Sequence, residues 1–138
     1  MKIFVSGQIN DTDFVKSIQT GLISAGHEIT HDWTKSDVLL GTAGSKLNNL
    51  HESGLRAKND IQGVIDADVY VLCSSNKDVG KGMYVELGAA LALAQSYRTE
   101  LKIFVLGRMN HLSVFYLHPL VCHVKDYDEL VKELGKYN

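Results

Sequence analysis

Glu86 stands where a carboxylate is expensive. It lies in the run DVGKGMYVELG at 78–88, and on a helix starting near Gly82 it shares a face with Met83, Ala90 and Leu93. A carboxylate among apolar neighbours is costly unless it is paired or does chemistry. Close to a helix N-terminus, the macrodipole would hold it ionised while its neighbours exclude water. An oriented, desolvated carboxylate is what a nucleophile or electrostatic stabiliser at an oxocarbenium-like carbon requires. The structural alternative is a first-turn glutamate paired with Lys81 or Arg98 that merely complements the dipole.

A second acid lies upstream, in NDIQGVIDAD at 59–68. Asp60 falls mid-helix and is either a solvent-facing residue or a site residue, whereas Asp66 and Asp68 read as helix-end and strand-entry residues. A third group is Asp32-Trp33, at the end of the second expected strand. Trp33, the single tryptophan, either stacks on a base or belongs to the core. Gly80 and Gly82 either let the backbone approach a ligand or form a turn.

Other chemistries fail on spacing. The first turn, Ser6-Gly7-Gln8-Ile9-Asn10, has one glycine where a dinucleotide fingerprint needs more. Gly80-Lys81-Gly82 lacks the third glycine, and no GxxxxGK[ST] occurs, so no dinucleotide or triphosphate cofactor is expected. His27 and His31 are placed on a strand and its end, structural or solvent-facing, and not as zinc ligands. Cys122-His123 reads as core plus surface, and neither cysteine sits beside a plausible base. No metal site is expected.

The elements that must position these residues alternate between strand and helix. Strands are expected at 2–6, 27–31, 69–73, 101–106 and 120–124, and helices at 13–25, 51–66, 82–97 and 126–135. Phe14, Ile18, Leu22 and Ala25 make one helical stripe, Leu55, Ile61 and Ile65 another, and Gly26 ends the first helix. Positions 32–50 carry no clear pattern, and long loops in compact domains tend to be functional. Continuous apolar strands alternating with helices imply an α/β fold, a doubly wound parallel sheet of about five strands. In such sheets ligands sit beyond the carboxyl ends of the strands. Those ends are Ser6-Gly7-Gln8, His31-Asp32-Trp33, 74–82 and 107–110, and the expected substrate-binding residues are Ser6, Gly7, Gln8, Asp32, Trp33, Asp78, Gly80, Gly82 and Met83.

Length and composition bound the rest. With 138 residues, 45% hydrophobic and 22% charged, the chain reads as a single globular domain over 1–138. Fourteen basic residues against sixteen acidic ones leave a net charge of −2, with no basic stripe to release counterions, so no nucleic-acid partner is expected. No run is long enough for a membrane helix, and only three apolar residues, Ile3 to Val5, follow Met1-Lys2 before Ser6. Two cysteines far apart suit a reducing cytoplasm, the expected location.

Lys2-Ile-Phe-Val-Ser-Gly7, the 59–68 stretch with its following valine, and Gly80-Lys-Gly-Met-Tyr-Val-Glu86-Leu-Gly-Ala-Ala90 together resemble the nucleoside 2-deoxyribosyltransferase family and its nucleotide N-glycosidase relatives. The resemblance covers nearly the whole chain apart from 34–55. It implies a flavodoxin-like sheet and no cofactor. Glu86 would be the nucleophile at the sugar C1′, forming a glycosyl-enzyme intermediate, and Asp60 would assist departure of the base. Asp78 would be a second base-contacting aspartate, although its interval to Glu86 is longer than in the transferases. The implied activity is cleavage of a (deoxy)nucleoside with transfer of the 2-deoxyribosyl group to another base. The alternatives are hydrolysis of a nucleoside 5′-monophosphate or nicotinamide dinucleotide, and a non-catalytic nucleotide-binding module. Asp78, and the lack of an arginine after Gly7, favour an unphosphorylated nucleoside. The relatives build sites at subunit interfaces, so a homodimer or higher homo-oligomer with shared sites is expected. Its contacts would come from the 109–119 loop, with exposed Phe115 and Tyr116, and from Tyr137-Asn138; local core cover is the other use of that loop.

Overall fold

The computed structural model describes residues 1–35, 43–74 and 79–137, with backbone alone for 43–45. Strands β1 (Lys2–Ser6), β2 (Glu28–Ile29), β3 (Val69–Cys73), β4 (Lys102–Leu106) and β5 (Val121–Val124) form an all-parallel sheet in the order 2-1-3-4-5. Helices α1 (Thr12–Ser24), α2 (Ala43–Asn48), α3 (Leu50–Asp66), α4 (Gly82–Ser96) and α5 (Tyr127–Leu134) complete a flavodoxin-like fold.

The central strands are covered on both faces, as their unbroken apolar composition demands. Ile3, Phe4 and Val5 and all five residues of β3 have no exposure. Helices α3 and α4 pack against each other, with α3 on β1 and α4 on β3 and β4. Helix α1 lies on β1 and β2 and meets α5: a Cβ on Gly21 would stand 2.7 Å from the Tyr127 ring. Gly26 ends α1 with φ of +87°, the left-handed conformation that favours glycine at this position.

Some expected elements change. Strand β2 has two residues instead of five, because only Glu28 and Ile29 pair with β1. Thr30 then donates its hydroxyl to the Gly63 carbonyl at 2.7 Å, tying the strand exit to α3. The patternless 32–50 region holds a 3-10 turn, Trp33–Lys35, and α2. On α1 the buried residues are Val15, Ile18, Gln19 and Leu22, with Phe14 partly buried against the core, whereas Ala25 of the expected stripe is exposed. On α3 the buried residues are Gly63 and Val64, while Leu55 and Ile65 are 45% and 40% exposed. N-terminal to the buried pair, half-buried polar residues Ser53, Arg56 and Asp60 lead to Gly63 at helical spacing.

The 109–119 loop divides. Tyr116 is buried at 1% exposure beside Tyr84, correcting its expected exposure, while Phe115 remains 58% exposed. Tyr137 is half exposed with Lys102 Nζ 5.0 Å from its ring centre; Asn138 lies outside the described residues. Cys122, expected in the core, is exposed on the edge strand β5. No described helix is long and apolar enough to cross a membrane.

Candidate active site

The order 2-1-3-4-5 reverses direction between β1 and β3, and a cleft opens beyond their carboxyl ends. Its volume is about 490 Å³, within the range of small-molecule sites. Gly7, Gln8, Trp33, Asp60, Gly80, Gly82, Met83 and Glu86 all line it, so most of the expected site residues converge. Asp78 lies outside the described residues.

Glu86 occupies the second turn of α4 and is 8% exposed. The wall around it is built from both flanking strands. Ser6, fully buried at the end of β1, donates a hydrogen bond to Glu86 Oε2. Tyr70 of β3 donates to the Met83 carbonyl at 3.1 Å, fixing the first turn of α4 to the sheet. Burial pushes the Glu86 carboxyl up to about 7; Ser6 and the Arg56 charge oppose this, and the Asp60 charge adds to it. Burial therefore outweighs the helix N-terminus that was expected to keep the group ionised.

Asp60 reaches the cleft from α3. Its Oδ1 lies 3.3 Å from His31 Nε2, with side-chain exposures of 29% for His31 and 20% for Asp60. Burial raises the Asp60 carboxyl, opposed by the charges of His31 and Arg56 and by contact with His31. The Asp60 charge therefore acts on Glu86, and the ionisation of the two carboxyls is coupled.

The glycines differ in purpose. A Cβ on Gly7 would fall 2.5 Å from Val15 Cγ2, so α1 packs too close for any side chain there. A Cβ on Gly80 would fall 2.9 Å from Met83 Sδ and 3.1 Å from Gln8 Cβ, closing the two loops on each other. At Gly82 nothing lies within 4 Å, so that position opens to the cleft. Gln8 caps the turn Ile9–Asp11 through its side-chain oxygen, on Asn10 N.

Two expected ligand contacts serve other ends. Asp32 does not line the cleft; Oδ1 accepts from Thr34 Oγ1 at 2.5 Å and from its amide at 3.1 Å, and Oδ2 faces Lys35 Nζ at 3.3 Å. It is a local cap on the turn Trp33–Lys35. Ser6 does not line the cleft either; its hydroxyl is engaged by Glu86. Trp33 does both things considered for it: it is 5% exposed, its Nε1 donates to the Val5 carbonyl at 2.8 Å, and it still contributes to the wall.

The sequence reading gave His31, at its strand end, no partner, and gave three cations no place as ligand contacts. His31, read as structural or solvent-facing, is half-buried against Asp60. Lys46, Arg56 and Lys81 line the cleft, supplying the positive charge that was sought only after Gly7. Arg56 was legible as the residue four before Asp60 on one helix, hence on the same face. Among the described residues no cluster of three or more metal-type ligands occurs.

No protein-family model matches the chain, and neither does any curated protein sequence. Its fold is similar to a solved structure, the CMP N-glycosidase BcmB of Clostridium botulinum. The TM-score is 0.57 and the identity 17%, over 99% of this chain and 100% of that one. At that identity the likeness speaks for the fold.

Proposed function

We propose that the protein cleaves the N-glycosidic bond of a nucleoside 5′-monophosphate, with Glu86 as nucleophile and Asp60 as the acid that assists the base. The observation carrying this is the buried Glu86 carboxyl, held at one oxygen by Ser6 on the wall of a cleft that Asp60 also lines. Three cations on that cleft suit a phosphate, and the structural likeness to a CMP N-glycosidase agrees with it.

With Oε2 engaged by Ser6, Oε1 is the oxygen left to attack C1′. As the Oε1–C1′ bond forms, the C1′–N bond breaks and its electron pair passes to the base nitrogen, which takes a proton from Asp60. Water then attacks C1′ from the other face and gives its proton to the Asp60 carboxylate. The Glu86–C1′ bond breaks, and the sugar leaves with retained configuration. The second reading replaces water by another base, so that a 2-deoxyribosyl group is transferred; the motifs shared with the deoxyribosyltransferases favour it.

The deciding experiment incubates the protein with ribonucleosides, deoxynucleosides and their 5′-monophosphates, with and without free adenine, and separates the products by chromatography. Base release without an acceptor is hydrolysis; a new nucleoside appearing only with adenine is transfer. Glu86→Ala abolishes either, and unchanged turnover in that variant would sink the proposal. Binding without turnover across the panel would leave a non-catalytic module. The homo-oligomer with shared sites is proposed on the same footing, supported by exposed Leu112, Val114, Phe115 and Leu117. A monomeric mass in sedimentation at micromolar concentration would remove it.

A further inference from the structure

We infer that His31 is a positioning residue for Asp60: its imidazole Nε2 engages carboxyl oxygen Oδ1, so that the acid's proton resides on Oδ2 and is directed to the departing base. The inference rests on the glycosidase reading and assigns a role to a residue outside the cleft wall.

Three observations converge on it. First, Nε2 stands 3.3 Å from Oδ1, and no hydrogen bond of regular geometry reaches that buried oxygen among the described residues. The imidazole Nε2 is thus the group placed to donate to that oxygen. Second, the backbone is built to bring these two side chains together. A Cβ on Gly63 would fall 2.7 Å from His31 Cβ and 2.7 Å from Phe4 Cδ2, so only glycine lets α3 approach the exit of β2 this closely. Thr30, next to His31, locks the same approach through its 2.7 Å bond to the Gly63 carbonyl. Third, Asp60 lines the cleft and its side chain keeps 20% exposure although Oδ1 has none.

The chemistry follows from the carboxyl group. A protonated carboxyl has one O–H, and an N–H donated to one oxygen disfavours a proton on that oxygen. The imidazole needs only its Nε2–H for this, the tautomer such a neighbour selects. The charged groups facing Asp60 are His31 from the exit of β2, Arg56 from the preceding turn of α3 and Glu86 from α4, with Lys46 and Lys81 on the same cleft. Among them, His31 both contacts the carboxyl and opposes the effect of burial on it.

The test has two arms. In the first, ¹³C-carboxyl NMR follows Asp60 in wild type, His31→Ala and His31→Gln, with Asp60→Asn assigning the signal. The Asp60 midpoint rises in His31→Ala; an unmoved midpoint overturns the inference. In the second, base release from nucleoside 5′-monophosphates is measured. His31→Ala lowers kcat about 10- to 100-fold while KM stays within about a factor of 3. His31→Gln, whose amide N–H reaches nearly as far, restores most of kcat, and His31→Ala adds no further loss to Asp60→Asn. Equal damage from alanine and glutamine, additive losses, or a loss carried by KM overturns it. If His31→Ala does not fold, His31→Asn, too short to reach Oδ1, replaces it. If wild type releases no base at all, the glycosidase reading fails while the NMR arm still upholds or overturns the coupling.

Discussion

The Ser6 hydroxyl donates to Glu86 Oε2, joining the carboxyl end of β1 to the second turn of α4 across 80 positions of sequence. The bond crosses the point where strand order reverses, so the fold itself sets the orientation of the carboxyl group. Because the donor is fully buried, water has no ready route to replace it.

Removing this donor changes when Glu86 is ionised. The bond favours the charged form and so works against burial, which has pushed the carboxyl up to about 7. A hydrogen bond to a charged group contributes about 1.5–3 kcal/mol. Ser6→Ala therefore moves the Glu86 midpoint upward by roughly one unit or more. Since attack needs the carboxylate, activity falls as pH drops through the midpoint. The acid limb of kcat/KM should shift to higher pH in Ser6→Ala; identical limbs in the two proteins would show that the bond does not tune Glu86.

Stability responds in the opposite sense. The folded value of about 7 lies above the ordinary glutamate value of 4.5, so the Glu86 contribution is complete below about 4.5 and is lost as pH rises through 7. The difference corresponds to about 3 kcal/mol at alkaline pH. Glu86→Gln keeps the shape and still accepts from Ser6 but carries no charge. It should melt several degrees above wild type at pH 8 and much closer to it at pH 4.5, by circular dichroism. This needs no substrate and separates the burial argument from the catalytic one.

The central strands and Glu86 were readable because burial writes itself into composition, whereas composition left Asp60 open between a solvent-facing and a site residue, and only the family resemblance singled it out. Continuous apolar runs marked β1, β3 and β4, and an acid inside an apolar helix marked Glu86. The edges were not readable on the same ground. Strand β2 pairs through only two residues, so composition over 27–31 could not define its length. Helix α2 is six residues with little apolar content, below what periodicity can detect. Asp32 was chosen for its place at a strand end, yet the nearest donors are its own local backbone and Thr34. His31 became a site neighbour only through Gly63, whose requirement is set by a helix packed on a strand exit more than thirty residues away.

Two glycines of α3 should behave oppositely. At Gly54 a Cβ meets nothing within 4 Å, so Gly54→Ala gains helix propensity and stabilises by roughly 0.5–1 kcal/mol. At Gly63 the same Cβ meets His31 and Phe4 at 2.7 Å, contacts that real Cβ atoms do not make. Gly63→Ala should destabilise by about 1–3 kcal/mol. It should also lower activity, because the shift needed to relieve the clash separates His31 from Asp60. Urea denaturation of both variants checks the signs; a neutral Gly63→Ala would mean that α3 moves freely against the sheet.

The cations of the cleft give the sharpest distinction between nucleoside and nucleotide. Lys46 comes from α2, Arg56 from α3 and Lys81 from the entrance of α4, so their charges converge on one cleft from three separate elements. If they seat a phosphate, Lys46→Ala and Arg56→Ala each raise KM for a 5′-monophosphate by about tenfold, equivalent to about 1.4 kcal/mol, and leave KM for the free nucleoside nearly unchanged. Added salt should raise the monophosphate KM in wild type, because these charges are partly exposed to solvent. Arg56→Lys keeps the charge but loses the planar fork, and should fall between wild type and alanine. Arg56 also pulls the Glu86 and Asp60 carboxyls downward, so Arg56→Ala moves the acid limb as well, whereas Lys46→Ala should not. Equal KM values for nucleoside and monophosphate in wild type would reassign these cations to the base or to the carboxylates, and would return the substrate to an unphosphorylated nucleoside.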